Sequence, residues 1–189
     1  ATLNVHSRYL HEGILDYAER LLGKHAPHFG RAIFTCTGTE ANEVALNMAR
    51  LCTGGRGIIC TDAAYHGNSA AVGKLTRVTT REDSDPEVRA IPFPQKFRPL
   101  AEDISEAALC ARYLELLDEA IASLSGVGLA AMLVCPILAN EGLPDIPAGF
   151  MHKAADKVRA AGGLFIADEV QAGFGRTGRW WGYQVMGVQ

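Results

Sequence analysis

Gly163-Leu164-Phe165-Ile166-Ala167-Asp168-Glu169-Val170-Gln171 passes from apolar to polar character in a single step. The apolar part, opened by glycine, reads as a short strand, and Asp168 stands where that strand ends. Working outward, Ala148 to Ala161 has helical period and Asn140 to Pro147 is a loop. Leu129-Ala130-Ala131-Met132-Leu133-Val134 reads as a buried strand. Before it, Leu109, Tyr113, Leu116, Leu117, Ala120, Ile121 and Leu124 share one face of a long helix. Gly57-Ile58-Ile59-Cys60-Thr61 predicts another strand, opening into the loop Asp62-Ala63-Ala64-Tyr65-His66-Gly67. Ala32-Ile33-Phe34-Thr35-Cys36 reads as a strand that turns through Thr37-Gly38-Thr39 into a helix carrying Ala41, Val44, Ala45, Met48, Ala49 and Cys52. Arg8 to Leu22 is an amphipathic helix closed by Gly23. From Ser84 to Pro99 four prolines exclude a regular helix, so this stretch reads as an excursion over the surface. Strands alternating with helices predict an α/β domain with a mainly parallel sheet, in which ligands sit beyond the carboxyl ends of the strands.

Composition narrows the function classes. With 189 residues, 48% of them hydrophobic, the chain has enough apolar material for one sizeable core. A net charge of -3, from 18 basic and 21 acidic residues, gives no electrostatic reason to expect nucleic acid or an anionic membrane as partner. No apolar run approaches the ~20 residues that span a bilayer, and the opening residues lack a signal-peptide pattern, so the cytoplasm is the expected compartment. Five cysteines with no CxxC pair read as reduced, mostly buried thiols. The close histidine pairs, His6 with His11 and His25 with His28, have no carboxylate or thiol cluster to complete a metal shell, so no metal is expected.

Three strand ends carry the chemistry. Thr37-Gly38-Thr39-Glu40 is a small-residue turn entering a helix, whose free amides at the positive end of the dipole suit a phosphate. It also reads as a plain capped helix start, with Thr37 or Thr39 as the cap. Tyr65 offers a face for a flat ring, or ordinary packing. Asp168, at the end of an apolar strand, needs a cation or several donors; Arg176 is one candidate partner. Together these are the parts that hold a phosphorylated, protonated aromatic heterocycle such as pyridoxal phosphate.

At this point the sequence resembles the class III, or ω-amino, pyridoxal-phosphate-dependent aminotransferases. The resemblance rests on Cys36-Thr37-Gly38-Thr39-Glu40-Ala41-Asn42-Glu43, on Tyr65-His66-Gly67, and on the run from Gly163 through Asp168-Glu169-Val170-Gln171 to Gly178; Asn4 to Leu21 adds to it. It implies the three-layer, mainly parallel large domain of the fold type I transferases, with Gly38 and Thr39 holding the cofactor phosphate and Tyr65 stacking on the ring beside His66. It further implies Asp168 pairing with the ring nitrogen and Gln171 meeting the phenolic oxygen, while Glu43 is structural. The implied reaction moves an amino group from an amine or amino acid to a keto acid or aldehyde, in a homodimer.

The departures point elsewhere. Cys135-Pro136-Ile137-Leu138-Ala139-Asn140-Glu141-Gly142 has Cys135 and Asn140 where many members have glutamate, the second gating substrate carboxylates. Asn140 and Glu141 are therefore candidate substrate residues, Glu141 as a partial replacement. The altered gate and the segment Arg89-Ala90-Ile91-Pro92-Phe93-Pro94 are similar to an offshoot containing phospho-lyases of phosphorylated amino-alcohols, which makes that reaction the alternative. The family's Schiff-base lysine is expected one strand beyond Asp168, and the five lysines here, Lys24, Lys74, Lys96, Lys153 and Lys157, match none of its positions. Residues 1–189 are thus expected to be an incomplete cofactor-binding large domain, without the C-terminal small domain, closing helix or activity of its own. A non-catalytic binding module is the remaining reading. Gly173-Phe174-Gly175-Arg176-Thr177-Gly178 matches the dinucleotide fingerprint G-x-G-x-x-G, but Arg179-Trp180-Trp181-Gly182-Tyr183 follows where an apolar helix should open, so it reads as structural, with Trp180 and Trp181 free to pack.

Overall fold

The computed structural model describes residues 9–77 and 85–188. The chain divides into two compact units, Ala1–Phe34 and Thr35–Gln189.

The first unit carries helix α1, Glu12–Leu22. It starts later than the apolar period suggests, because the His11 ring caps it by accepting from the Gly13 N–H through Nδ1 at 3.1 Å. Arg8 and His6 lie outside the described residues. Gly23 closes the helix through its N–H, as its position predicts. Tyr17 and Phe34 stack at a tilt 5.5 Å apart.

In the second unit, four parallel strands form one sheet in the order β2-β1-β3-β4. They are β1 (Gly57–Thr61), β2 (Val88–Ile91), β3 (Leu129–Val134) and β4 (Leu164–Ala167). Helix α2 (Gly38–Thr53) leads into β1, α3 (Glu106–Ser123) joins β2 to β3, and α4 (Phe150–Ala160) joins β3 to β4. Side chains alternate between sheet faces. Ile58, Cys60, Ala131 and Leu133 meet Leu46 and Ala49 of α2 and Val72 and Leu75 of a 3₁₀ turn in one buried cluster. Ile59 and Met132, in register with each other and facing the other way, are equally buried. On the far layer, α3 and α4 meet through Tyr113 and Phe150, edge to face at 6.1 Å. A sheet covered on both faces explains why β1 and β3 are apolar without alternation.

Three expectations are corrected. Ala32–Cys36 is not a strand: it has no ladder partner among the described residues, and Ile33 and Phe34 are 62% and 48% exposed. β-branched and aromatic residues favour extended backbone, but a strand also needs a neighbour to take its N–H and C=O groups. The Pro-rich stretch is no simple surface excursion, since Val88–Ile91 pairs along β1 from Ile58↔Val88 to Thr61↔Ile91. Pro86 and Pro92 flank this edge strand without entering it, the position sheets tolerate. Ser84 lies outside the described residues. A one-turn helix, α5 (Gly182–Val185), forms where no closing helix was expected. No helix opens at Gly178, as the sequence around the glycine-rich loop predicts. Trp181 is buried against Phe174, edge to face at 5.1 Å, while Trp180 is half exposed.

All five cysteines are unbridged, with Cys60, Cys110 and Cys135 buried and Cys36 and Cys52 exposed. Leu133 is fully buried at the centre of the sheet. Leu133→Ala is expected to lower unfolding free energy in urea by about 2–5 kcal/mol, and a loss under about 1 kcal/mol would contradict this packing.

Candidate functional site

From β1 the chain moves first to β2 on one side, and β3 then takes the other side. The carboxyl ends of β1 and β3 therefore flank a topological switch point, where α/β sheets open a crevice. A cavity of about 220 Å³ lies there. Its walls are Gly38 and Thr39 from the start of α2, Tyr65 and His66 after β1, Cys135 and Asn140 after β3, and Asp168, Val170 and Gln171 after β4. Seven of the eight residues singled out in the sequence thus meet in one place. Glu141 is the exception.

At the start of α2 the turn is a capped helix start that leaves two amides free. Thr37 is the cap, its Oγ1 accepting from the Glu40 N–H at 3.1 Å, and the Glu40 carboxylate accepts in turn from the Cys36 N–H at 2.8 Å. The N–H groups of Gly38 and Thr39 meet no partner among the described residues, and both residues line the cavity. Two unpaired amides at the positive end of a sixteen-residue helix form an anion cradle. Side-chain-free backbone is required here. A Cβ on Gly38 would stand 2.5 Å from Val170 Cγ2, and one on Gly67, whose φ is +130°, would run into the Thr39 side chain.

The Asp168 N–H extends the ladder to Val134 O at 2.9 Å, which fixes the carboxylate at the mouth of the sheet. Asp168 is 7% exposed, and its Oδ2 lies 2.7 Å from Nδ1 of His66, a side chain only 1% exposed. The Asn42 amide donates to the same Oδ2 at 3.0 Å, and the Val170 N–H donates to Oδ1 at 3.1 Å. Burial pushes the Asp168 carboxyl up, but the His66 ring and charge, the Val170 N–H and the Asn42 amide together outweigh it and hold the group below the usual carboxylate range. An ionised carboxylate only accepts, so His66 carries its proton on Nδ1. Asp168 thus pairs with His66 and not with Arg176, which is exposed. His66 Nε2 is buried without a partner among the described residues.

Tyr65 is 43% exposed, its hydroxyl accepting from Asn68 Nδ2 at 3.1 Å and its carbonyl accepting from Asn140 Nδ2 at 3.3 Å. Glu141 is turned away from the cavity: its Oε1 accepts from the Thr61 hydroxyl at 2.6 Å, at the end of β1. Burial pushes the Cys135 thiol up, helped by the charges of Asp168 and Glu141, so it faces the cavity as a neutral group. Glu43 accepts from the Ser69 hydroxyl and the Val72 N–H, a structural role as read from the sequence. Asn42, Val170 and Cys135 were not singled out as site residues. Asn42 had one available signal, its place one helical turn after Gly38.

An anion cradle, an aromatic face and a buried ionised carboxylate within one cavity fit a phosphorylated ring bearing a cationic nitrogen. None of the five lysines lines this cavity. Because the folded-state pKa of Asp168 is depressed, its contribution to stability is present above the unfolded value near 3.9 and is lost as pH falls through the lower folded value. Urea midpoints of the wild type and Asp168→Asn, measured from pH 7 to pH 2.5, are expected to differ at neutral pH and to converge below about pH 4. A constant gap across that range would contradict the ionised pair.

The profile of the family "Aminotransferase class-III" matches residues 2–189. An Arabidopsis thaliana protein named alanine–glyoxylate aminotransferase 2 homolog 2, mitochondrial, is 35% identical over 95% of this chain and 37% of its own length. Among solved structures, a phospholyase from Arthrobacter in complex with phosphoethanolamine superimposes with a TM-score of 0.90 at 41% identity, over 100% of this chain and 45% of that one. The taurine:2-oxoglutarate aminotransferase of Bifidobacterium kashiwanohense, in complex with pyridoxal phosphate and glutamate, gives 0.86 at 29% identity, over 97% and 43%. The chain therefore spans less than half the length of these relatives. Class III aminotransferases use pyridoxal 5′-phosphate as cofactor. With the fold, the strand-end cavity and a family match along nearly its whole length, this chain belongs to the class III aminotransferase family.

Proposed function

We propose that this chain holds pyridoxal 5′-phosphate in the strand-end cavity and serves, in the complete protein, in amino-group transfer from an amine or amino acid to a keto acid or aldehyde. The observation that carries this reading is the convergence of the unpaired Gly38 and Thr39 amides with the ionised Asp168 carboxylate in one cavity. When bound, the cofactor supplies a cationic ring that accepts the electron pair left by a bond broken at the nitrogen-bearing carbon. Gly38 and Thr39 bind the phosphate. Asp168, ionised and held by His66, keeps a proton on the ring nitrogen. Tyr65 covers one face of the ring, and Gln171 donates to its phenolic oxygen.

The lysine that attaches the cofactor and moves the substrate proton is assigned to sequence outside residues 1–189, as is the small domain. Three of the five lysines here are engaged in surface ion pairs, Lys74 with Asp85, Lys96 with Asp145 and Lys157 with Asp118. Without that lysine the chain by itself is inactive in our reading. Five unbridged cysteines fit a reducing compartment, in our reading the cytoplasm. Exposed Phe174 and Trp180 support assembly as a homodimer.

A second reading, elimination of phosphate from a phosphorylated amino-alcohol, is favoured by Asn140. A carboxylate at that wall position would repel a dianionic substrate, whereas the Asn140 amide is neutral and Glu141 faces Thr61. The 41% identity with the Arthrobacter phospholyase supports the same reading.

The deciding experiment uses protein expressed from the complete reading frame and loaded with pyridoxal phosphate. Amino transfer predicts turnover of amines that depends on an added keto acid or aldehyde, and Asp168→Asn is expected to lower it at least about hundredfold. Release of inorganic phosphate from phosphoethanolamine with no acceptor present would replace the first reading by the second. Cofactor binding with neither reaction would leave a binding module.

A further inference from the structure

Asn42 lies one turn inside α2, four residues after Gly38, and is 6% exposed. Its side-chain amide donates to two acceptors at 3.0 Å, His66 O on the segment after β1 and Asp168 Oδ2 at the end of β4. One side chain therefore ties the helix that bears the phosphate amides to the carboxylate at the other end of the cavity. The two oxygens of Asp168 are consequently unequal. Oδ2 is occupied by Asn42 and His66, whereas among the described residues Oδ1 accepts only the Val170 N–H.

We infer that Asn42 is a positioning residue for the cofactor ring: it fills Oδ2 so that Oδ1 is the oxygen that meets the ring nitrogen, and it fixes the distance of that oxygen from the phosphate amides. The inference rests on the pyridoxal phosphate reading of the cavity. Titratable groups lie about Asp168 from the neighbouring segments: His66 after β1, Cys135 after β3 and Glu169 beside it, with Glu141, also after β3, turned away to Thr61. Cys135 is neutral, Glu141 is committed to Thr61, and Glu169 accepts from the N–H groups of Gly182 and Tyr183 at 2.7 and 2.8 Å. None of the three is hydrogen-bonded to Asp168 among the described residues, so none stands in for Asn42.

The test uses protein from the complete reading frame and compares dissociation constants for pyridoxal phosphate and for its analogue with C–H in place of the ring nitrogen. Removing one donor from a buried charged acceptor is the perturbation, and only the nitrogen ring depends on that acceptor. Wild type and the exposed-site control Asn47→Asp are expected to prefer the nitrogen ring by at least about tenfold. Asn42→Ala and Asn42→Asp are expected to shrink that preference to within about twofold, through weaker binding of pyridoxal phosphate alone. A preference kept at the wild-type ratio in both variants would overturn the inference. A second measurement needs no variant: the Asn42 side-chain amide resonance moves when pyridoxal phosphate binds and stays when inorganic phosphate alone is added. An unmoved resonance would also overturn it. Wild type that binds neither ring would instead overturn the cofactor reading itself.

Discussion

A carboxylate at the buried end of an apolar strand is the constraint on which this structure turns. Left alone, Asp168 would cost several kcal/mol in desolvation, or would neutralise by taking up a proton. It is instead met by an imidazole from the segment after β1, an amide from α2 and a backbone N–H of its own turn. The imidazole and the amide come from far along the chain, so the carboxylate is satisfied only when β1, β3 and β4 are in register. Fold and site are thereby specified together: a slip of one residue in β4 would turn Asp168 to the other face and strand both His66 and Asn42.

Much of this was legible in the sequence, for identifiable reasons. β1 and β3 are runs buried on both faces, β4 is a continuous apolar run that is only half-buried, and α2, α3 and α4 repeat apolar residues at helical spacing, so local composition and period suffice. β2 was not legible because only four residues between prolines, Val88 to Ile91, form it, and Arg89 sits inside. Ala32–Cys36 has strand composition and no strand, because pairing is decided by what lies alongside, which composition does not encode. At the site, residues at strand ends could be found because topology gathers strand ends. The part of Asn42 could not, since a helix-interior asparagine gives no local sign of a partner 126 residues away. The direction of Glu141 was equally hidden. It follows from an irregular loop in which Leu138 and Leu143 adopt positive φ, at 47° and 54°, and close on each other through Leu143 N–H to Leu138 O at 3.0 Å.

The same loop shapes what the cavity accepts. Cys135 and Asn140 line it as neutral groups, and the one carboxylate on its wall, Asp168, is committed to His66 and Asn42. Negative charge on a ligand therefore meets the Gly38 and Thr39 amides and little opposition from the wall after β3. This is the physical ground on which amino transfer and phosphate elimination compete as readings, and both depend on the ring being seated between the cradle and Asp168.

A crystal structure of the protein with pyridoxal phosphate bound tests that seating most directly. The phosphate is expected on the amides of Gly38 and Thr39 and the ring nitrogen within about 3 Å of Asp168 Oδ1. A phosphate seated away from α2, or a ring nitrogen facing any group other than Asp168, would contradict it.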